Sequence, residues 1–120
     1  MQTLYTKIGP NRLRAIVDRF YDIVFNDSTI AHLFITDKSL IRNKQYQFLT
    51  QFLGGPQNYT AAHGHPKMRM RHAPHEIDNS AMEEWLRCMK IAVNENIDDP
   101  ELATALCECF PKVAAHMVNT

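Results

Sequence analysis

The residues best able to do chemistry cluster between Gly54 and Pro74. His63, His65 and His72 fall in this stretch, with His75 just beyond it. Lys67, Arg69 and Arg71 are interleaved with them, and Gly54-Gly55-Pro56, Pro66 and Pro74 keep the chain from running as one regular helix. Imidazole is the commonest protein ligand for metals and haem iron. A loop rich in glycine and proline can carry such a ligand where a helix would not reach. Three readings stand on the residues alone. The first is a surface loop whose histidines are solvated. The second is a zinc site, since His63-x-His65 and His72-x-x-His75 have chelating spacings. The C-x-x-C pair of many structural sites and the H-E-x-x-H helix of many catalytic ones are both missing. The third is one axial histidine to haem. Lys67, Arg69 and Arg71 would meet the propionate carboxylates, and Phe48, Met68, Trp85 and Met89 would wall an apolar cleft.

Such a loop needs a scaffold, and the sequence supplies helices. The first covers about 11–25, with Leu13, Ile16, Val17, Phe20, Tyr21, Val24 and Phe25 spaced three and four apart. Asn11 is its expected cap. A single helical turn is expected over 30–34. The second helix covers about 38–53, with Ile41, Gln45, Phe48, Leu49 and Phe52 on its inner stripe and Gly54-Gly55-Pro56 as its stop. Gln45 interrupts that stripe. A buried amide needs partners, so Gln45 either sits at the stripe edge or faces a ligand.

The third helix is expected from Ser80, where Ser80-Ala81-Met82-Glu83 has the capping-box spacing. Its stripe is Met82, Trp85, Cys88, Met89, Ala92 and Val93. The fourth starts at Asp99-Pro100 and continues through Leu102, Leu106, Phe110, Val113 and Met117, with a kink expected at Pro111. Nothing reads as a strand. The expected class is all-α, with residues 1–120 as one domain.

Composition narrows the function classes. Lys+Arg and Asp+Glu stand at 13 each, which gives no electrostatic case for nucleic acid or an anionic membrane. No apolar run has transmembrane length and the N-terminus has no signal-peptide core, so the expected compartment is the cytoplasm. Cys88, Cys107 and Cys109 are an odd set inside helical patterns. They are expected as free thiols rather than a disulfide framework.

Ordered motifs favour the haem reading. Gly54-Gly55-Pro56, Tyr59, His63-Gly64-His65-Pro66, the run from Met68 to Pro74, and Trp85-Leu86-Arg87-Cys88-Met89 together resemble the group II truncated haemoglobins. Asp18-Arg19-Phe20-Tyr21 and His116-Met117-Val118-Asn119 are similar to that family as well. The resemblance covers nearly the whole chain. It implies a bacterial two-over-two globin fold in which two helix pairs sandwich a haem b (iron protoporphyrin IX). The four helices would be the family's B, E, G and H helices.

The resemblance also implies site roles. His72 matches the proximal iron ligand, and Arg71 the basic residue near the propionates. Tyr21, Gln45 and Trp85 match the main distal positions. Ile41 falls where many globins carry a distal histidine. Phe34 falls at the aromatic position that packs on the haem after the short helical turn. Phe48, Leu49, Tyr59, Met68, Ile77 and Met89 complete the expected haem contacts.

Some residues depart from the pattern. His75 stands where the family often has phenylalanine. Phe34 lacks the hydroxyl of some members. His32 falls near the distal side by sequence, so it and Tyr21 are both candidates for an internal ferric ligand.

The implied ligands are dioxygen, carbon monoxide and nitric oxide. A bound dioxygen takes up negative charge, and the Tyr21 hydroxyl, Gln45 amide and Trp85 indole N–H can donate to it. The implied activity is either ligand binding or redox detoxification of nitric oxide, peroxide or peroxynitrite. Redox turnover would require an external reductase, because the chain has no nucleotide-binding glycine motif. A monomer or small homo-oligomer is expected.

Overall fold

The computed structural model describes residues 2–34, 37–64 and 77–118. The expectations for His65, Met68, Arg71, His72 and His75 fall outside the described residues. The elements are α1 (Leu4–Ile8), α2 (Pro10–Asp27), a 3-10 turn (Ala31–Leu33), α3 (Lys38–Phe52), α4 (Asn58–His63), α5 (Asn79–Asn96), α6 (Pro100–Cys107) and α7 (Phe110–Met117). There is no strand among the described residues.

Helix α2 is central. One side packs on α3 and another on α5, while α5 also carries α6 and α7. The seam is apolar because the three-and-four spacing puts Leu13, Ile16, Val17, Phe20, Tyr21 and Val24 on one side of α2, all buried. Ile23 is buried too, which the stripe omitted. From α5, Cys88, Met89, Ala92 and Val93 meet this seam as the spacing predicts. Each large apolar side chain buried there contributes about 1.5–3 kcal/mol.

Several helix ends differ from the sequence reading. Asn11 does not cap α2. The helix begins one residue earlier at Pro10, after Gly9, and no side chain caps it. Proline at the first position has no N–H to satisfy, which reduces the need for a cap. The five-residue α1 went unread because so short a helix shows no periodicity. Its own N-cap and a side chain of α2 hold it. Thr6 N–H donates to Thr3 Oγ1 at 3.1 Å, and Arg12 donates to the Ile8 and Lys7 carbonyls at 2.7 and 2.6 Å.

Asp78, not Ser80, caps α5, accepting from Ala81 N–H at 2.8 Å. An aspartate two residues upstream supplies the same acceptor and starts the helix earlier. Asp99 caps α6 as expected, accepting from Glu101 N–H at 3.0 Å. The kink expected at Pro111 is a full interruption at Glu108–Cys109, and α7 restarts with Pro111 in its first turn. All three cysteines are free. Cys88 is buried, Cys107 and Cys109 are half-buried, and burial pushes their thiols up.

The Gly54-Gly55 stop does two jobs. Gly54 takes φ of +96°, which ends α3 in the left-handed region. Gly55 admits a neighbour, since a Cβ there would lie 2.7 Å from the Tyr5 ring and 2.8 Å from the Thr50 carbonyl oxygen. The corner thus docks α1 against the end of α3, where Tyr5 N–H donates to the Leu53 carbonyl at 3.0 Å.

Beyond the corner, a loop was expected, but residues 58–63 form α4. Gln51 clips it in place. Its Nε2 donates to Thr60 Oγ1 at 2.8 Å, and its Oε1 accepts from Thr60 N–H at 2.9 Å.

Candidate functional site

The site residues that can be placed come from four elements. Helix α2 supplies Tyr21, a residue only 2% exposed. Its edge contacts are Phe20 at 4.9 Å and Phe34 at 5.5 Å between centroids, and Phe25 stacks at 5.8 Å. Helix α5 supplies Trp85, tilted on Phe20 at 5.2 Å and edge-on to Phe110 at 5.6 Å. Phe20 is therefore the shared neighbour of Tyr21 and Trp85. Aromatic pairs at these separations contribute about 0.5–1.5 kcal/mol beyond area burial, which fixes both rings.

Helix α3 supplies Ile41, Gln45 and Phe48, one turn apart and all half-buried. Phe48 packs edge-on to Tyr59 of α4 at 5.7 Å. Leu49, Tyr59, Ile77 and Met89 are buried, whereas Phe34 and Trp85 are half-buried like the α3 residues. Phe52 departs from the expected inner stripe and is exposed, stacking outward on Phe48 at 5.7 Å. It sits in the last turn of α3, where the chain already bends toward Gly54.

The three polar side chains among these have donors to spare. No hydrogen bond from the Tyr21 hydroxyl, the Gln45 amide or the Trp85 indole nitrogen forms among the described residues. Burial pushes the Tyr21 phenol well above its usual range, while the Arg42 charge pulls the other way. Tyr21 is therefore a neutral hydroxyl at any physiological pH, with a proton to donate.

The histidines divide. His32 is exposed, and its Nδ1–H donates to the Thr29 carbonyl at 3.0 Å. His63 is exposed at the end of α4. Its Nε2–H donates to Gln47 Oε1 at 2.8 Å, and its ring lies 5.0 Å from Tyr59.

Comparison with known proteins decides the family. The bacterial-like globin family matches residues 3–119. The group 2 truncated hemoglobin YjbI of Bacillus subtilis (strain 168) is 41% identical over 115 residues, covering 96% of this chain and 87% of that protein. The chain belongs to the group II truncated haemoglobins. The solved structure of the group II truncated haemoglobin from Bacillus anthracis superposes on this globin with TM-score 0.94 at 38% identity, covering 100% of this chain and 98% of that one. A structure described as a truncated oxygen-avid haemoglobin from Bacillus subtilis superposes with TM-score 0.92 at 40% identity, covering 98% and 100%.

Membership implies haem, and the described residues fit it. The globin offers half-buried apolar groups on α3, α5 and the 30–34 turn, which suit a flat apolar ring. It also holds three donors without a hydrogen-bond partner among the described residues, which suit a small polar ligand. No helix among the described residues is long and apolar enough to cross a membrane.

Two contributors were missed in the sequence. Phe25 was read as core, yet it and Phe34 flank Tyr21. Arg42 was not singled out at all. Its signal was its spacing, seven residues before the buried Leu49, which puts it on the α3 face turned to α2.

Proposed function

We propose that this globin binds dioxygen and other diatomic ligands, including carbon monoxide and nitric oxide, at a haem b whose iron His72 ligates. The observation that carries this reading is a set of three donors, Tyr21, Gln45 and Trp85, that have no hydrogen-bond partner among the described residues and accompany half-buried apolar groups. The oxygen-avid relative from Bacillus subtilis supports it. Phe34, Ile41, Phe48 and Trp85 would touch the haem face directly. Leu49, Tyr59, Ile77 and Met89 would back that lining, and Arg71 and Met68 would serve its edge.

Bound haem supplies an iron that takes a diatomic ligand and shifts negative charge onto it. The protein's part is to meet that charge. The Tyr21 hydroxyl donates from a fixed ring, and Trp85 N–H donates from a ring fixed on the same Phe20. Gln45 adds an amide from α3. Fixed donors need no reorganisation when charge appears, so they favour a charged ligand over a neutral one. Each contributes about 1 kcal/mol, or severalfold in dissociation rate. Ile41 cannot donate and acts as an apolar gate. Slow release follows, which suits retention of oxygen better than its bulk transport.

The test is the ultraviolet–visible spectrum of the purified protein, ferric, then dithionite-reduced, then under carbon monoxide and oxygen. A Soret band that moves on reduction and with each gas is expected. A colourless protein that takes up no added haemin overturns the reading.

A further inference from the structure

We propose that Arg42 is the positioning residue of this ligand site, holding α3, with Ile41 and Gln45, in register against Tyr21 by a two-armed grip on α2. The inference rests on the ligand-binding reading above and adds a residue to it.

The geometry is a clamp. One guanidinium nitrogen of Arg42 donates to the Asp18 backbone carbonyl at 2.9 Å and to Asp18 Oδ1 at 3.3 Å. The other donates to Asp22 Oδ1 at 2.8 Å. Asp18 and Asp22 are successive turns of α2, and Tyr21 lies between them in the chain. The guanidinium carbon also lies 6.0 Å from the centre of the Tyr21 ring. On α3, Arg42 follows Ile41 directly and stands three residues before Gln45. One side chain thus links the turn that carries Tyr21 to the turn that carries both α3 site residues.

Arg14 braces the clamp. It donates to Asn43 Oδ1 at 2.7 Å and pairs with Asp18 Oδ2 at 3.4 Å, which holds the Asp18 carboxylate that Arg42 shares.

Stability alone does not account for this arrangement. The Asp18 and Asp22 side chains are 43% and 52% exposed, and exposed ion pairs contribute only about 0–1 kcal/mol. The backbone carbonyl contact is different, because its acceptor is main chain and does not move with a carboxylate rotamer, so it ties α3 to the α2 backbone. A fork with two separated donors is needed to reach both turns, and lysine has no such fork. The positive charge near the Tyr21 ring also draws electron density from the phenol, which makes its hydroxyl a stronger donor.

The experiment compares haem-loaded wild type with Arg42→Met, Arg42→Lys, Tyr21→Phe and the double variant Tyr21→Phe/Arg42→Met. It reads oxygen and carbon monoxide dissociation, the C–O stretching frequency of the carbon monoxide form, and the thermal midpoint. Arg42→Met is expected to speed oxygen release about fivefold. Carbon monoxide release should change by less than about twofold, since that ligand carries little charge to meet. The C–O band should shift and broaden. Arg42→Lys should keep the thermal midpoint of wild type but not its C–O band. In the Tyr21→Phe background, Arg42→Met should add less to the oxygen rate than it does in wild type, because one of the two donors it positions is already gone and only Gln45 is left to misplace.

A lowered thermal midpoint with wild-type C–O band and oxygen rates in Arg42→Met would reduce Arg42 to a surface ion pair and overturn the proposal. Fully additive rates in the double variant overturn it too. A wild type without a haem spectrum overturns both readings. Altered rates in Tyr21→Phe with none in either Arg42 variant overturn only this one.

Discussion

Removing one oxygen atom, by Tyr21→Phe, separates the ligand-binding role of Tyr21 from its packing role. The ring makes three aromatic contacts, with Phe20, Phe25 and Phe34 at 4.9, 5.8 and 5.5 Å, and phenylalanine keeps all of them. The hydroxyl bonds to nothing among the described residues. Its loss therefore sacrifices no protein hydrogen bond, and stability should stay within about 0.5 kcal/mol of wild type, a shift of a few degrees at most in the thermal midpoint.

The ligand kinetics should behave oppositely. A donor facing a partly charged ligand contributes about 1–2 kcal/mol, between the neutral and charged cases. That corresponds to roughly a five- to thirtyfold faster oxygen dissociation. Stopped-flow release of oxygen from the reduced protein, beside a thermal melt, is the assay.

Alkaline pH gives a second handle. The native phenol ionises above its usual range, so between pH of about 10 and that raised value the unfolded chain gives up a proton the native one keeps. The native state then holds more protons, and stability falls as pH rises. Tyr21→Phe removes this contribution, so its melting point should decline less above pH of about 10. An unchanged oxygen rate, or a midpoint lowered by more than about 4 °C, would refute the reasoning, because the hydroxyl would then serve the fold instead of the ligand.

Three further substitutions probe other parts of the molecule. Trp85→Phe should speed oxygen release severalfold and alter carbon monoxide release less, since only the charged ligand uses the indole N–H; equal changes in both would make Trp85 a steric gate. His72→Ala should abolish the histidine-ligated ferrous spectrum, and its persistence would move the axial role to another side chain. Gly55→Ala forces a Cβ to 2.8 Å from the Thr50 carbonyl oxygen and 2.7 Å from the Tyr5 ring. The carbonyl belongs to the α3 backbone and cannot swing aside, so a loss of about 1–3 kcal/mol is expected in a thermal melt. An unchanged midpoint would show that α1 does not dock as described.

Much of the fold was legible because helices announce themselves through burial on one side. The stripe from Leu13 to Val24 and the stripe from Cys88 to Val93 both face the seam between α2 and α5, where the three-and-four spacing puts them. Helix ends were less legible. Asp78 and Ser80 each had the chemistry of a cap, and only the chain path chose between them. The short helices α1 and α4 were invisible for a different reason. Arg12 of α2 and Gln51 of α3 stabilise them from outside, and no local pattern encodes partners supplied by another element. Tyr21 and Trp85 came from the family resemblance. Without it, Tyr21 and Trp85 fit their apolar stripes as ordinary core aromatics.

Arg42 shows where reading by stripe runs out. A positive charge on an amphipathic helix is ordinarily a solvated residue, and nothing in the local sequence argues otherwise. Its acceptors lie 20 and 24 residues away, one of them a backbone carbonyl that has no side-chain signature. Gln45 is the opposite case. It was conspicuous because it broke an apolar stripe, so the pattern itself flagged it. The two residues lie one turn apart on α3. Gln45 can present its amide usefully only if the helix does not slide or rotate on α2, and Arg42 ties α3 to the α2 backbone beside Tyr21, as Tyr46 does further along at the Pro10 carbonyl. The residue that would meet the ligand was therefore visible in the sequence as an anomaly. The residue that keeps it in place became visible only when α2 and α3 were brought together.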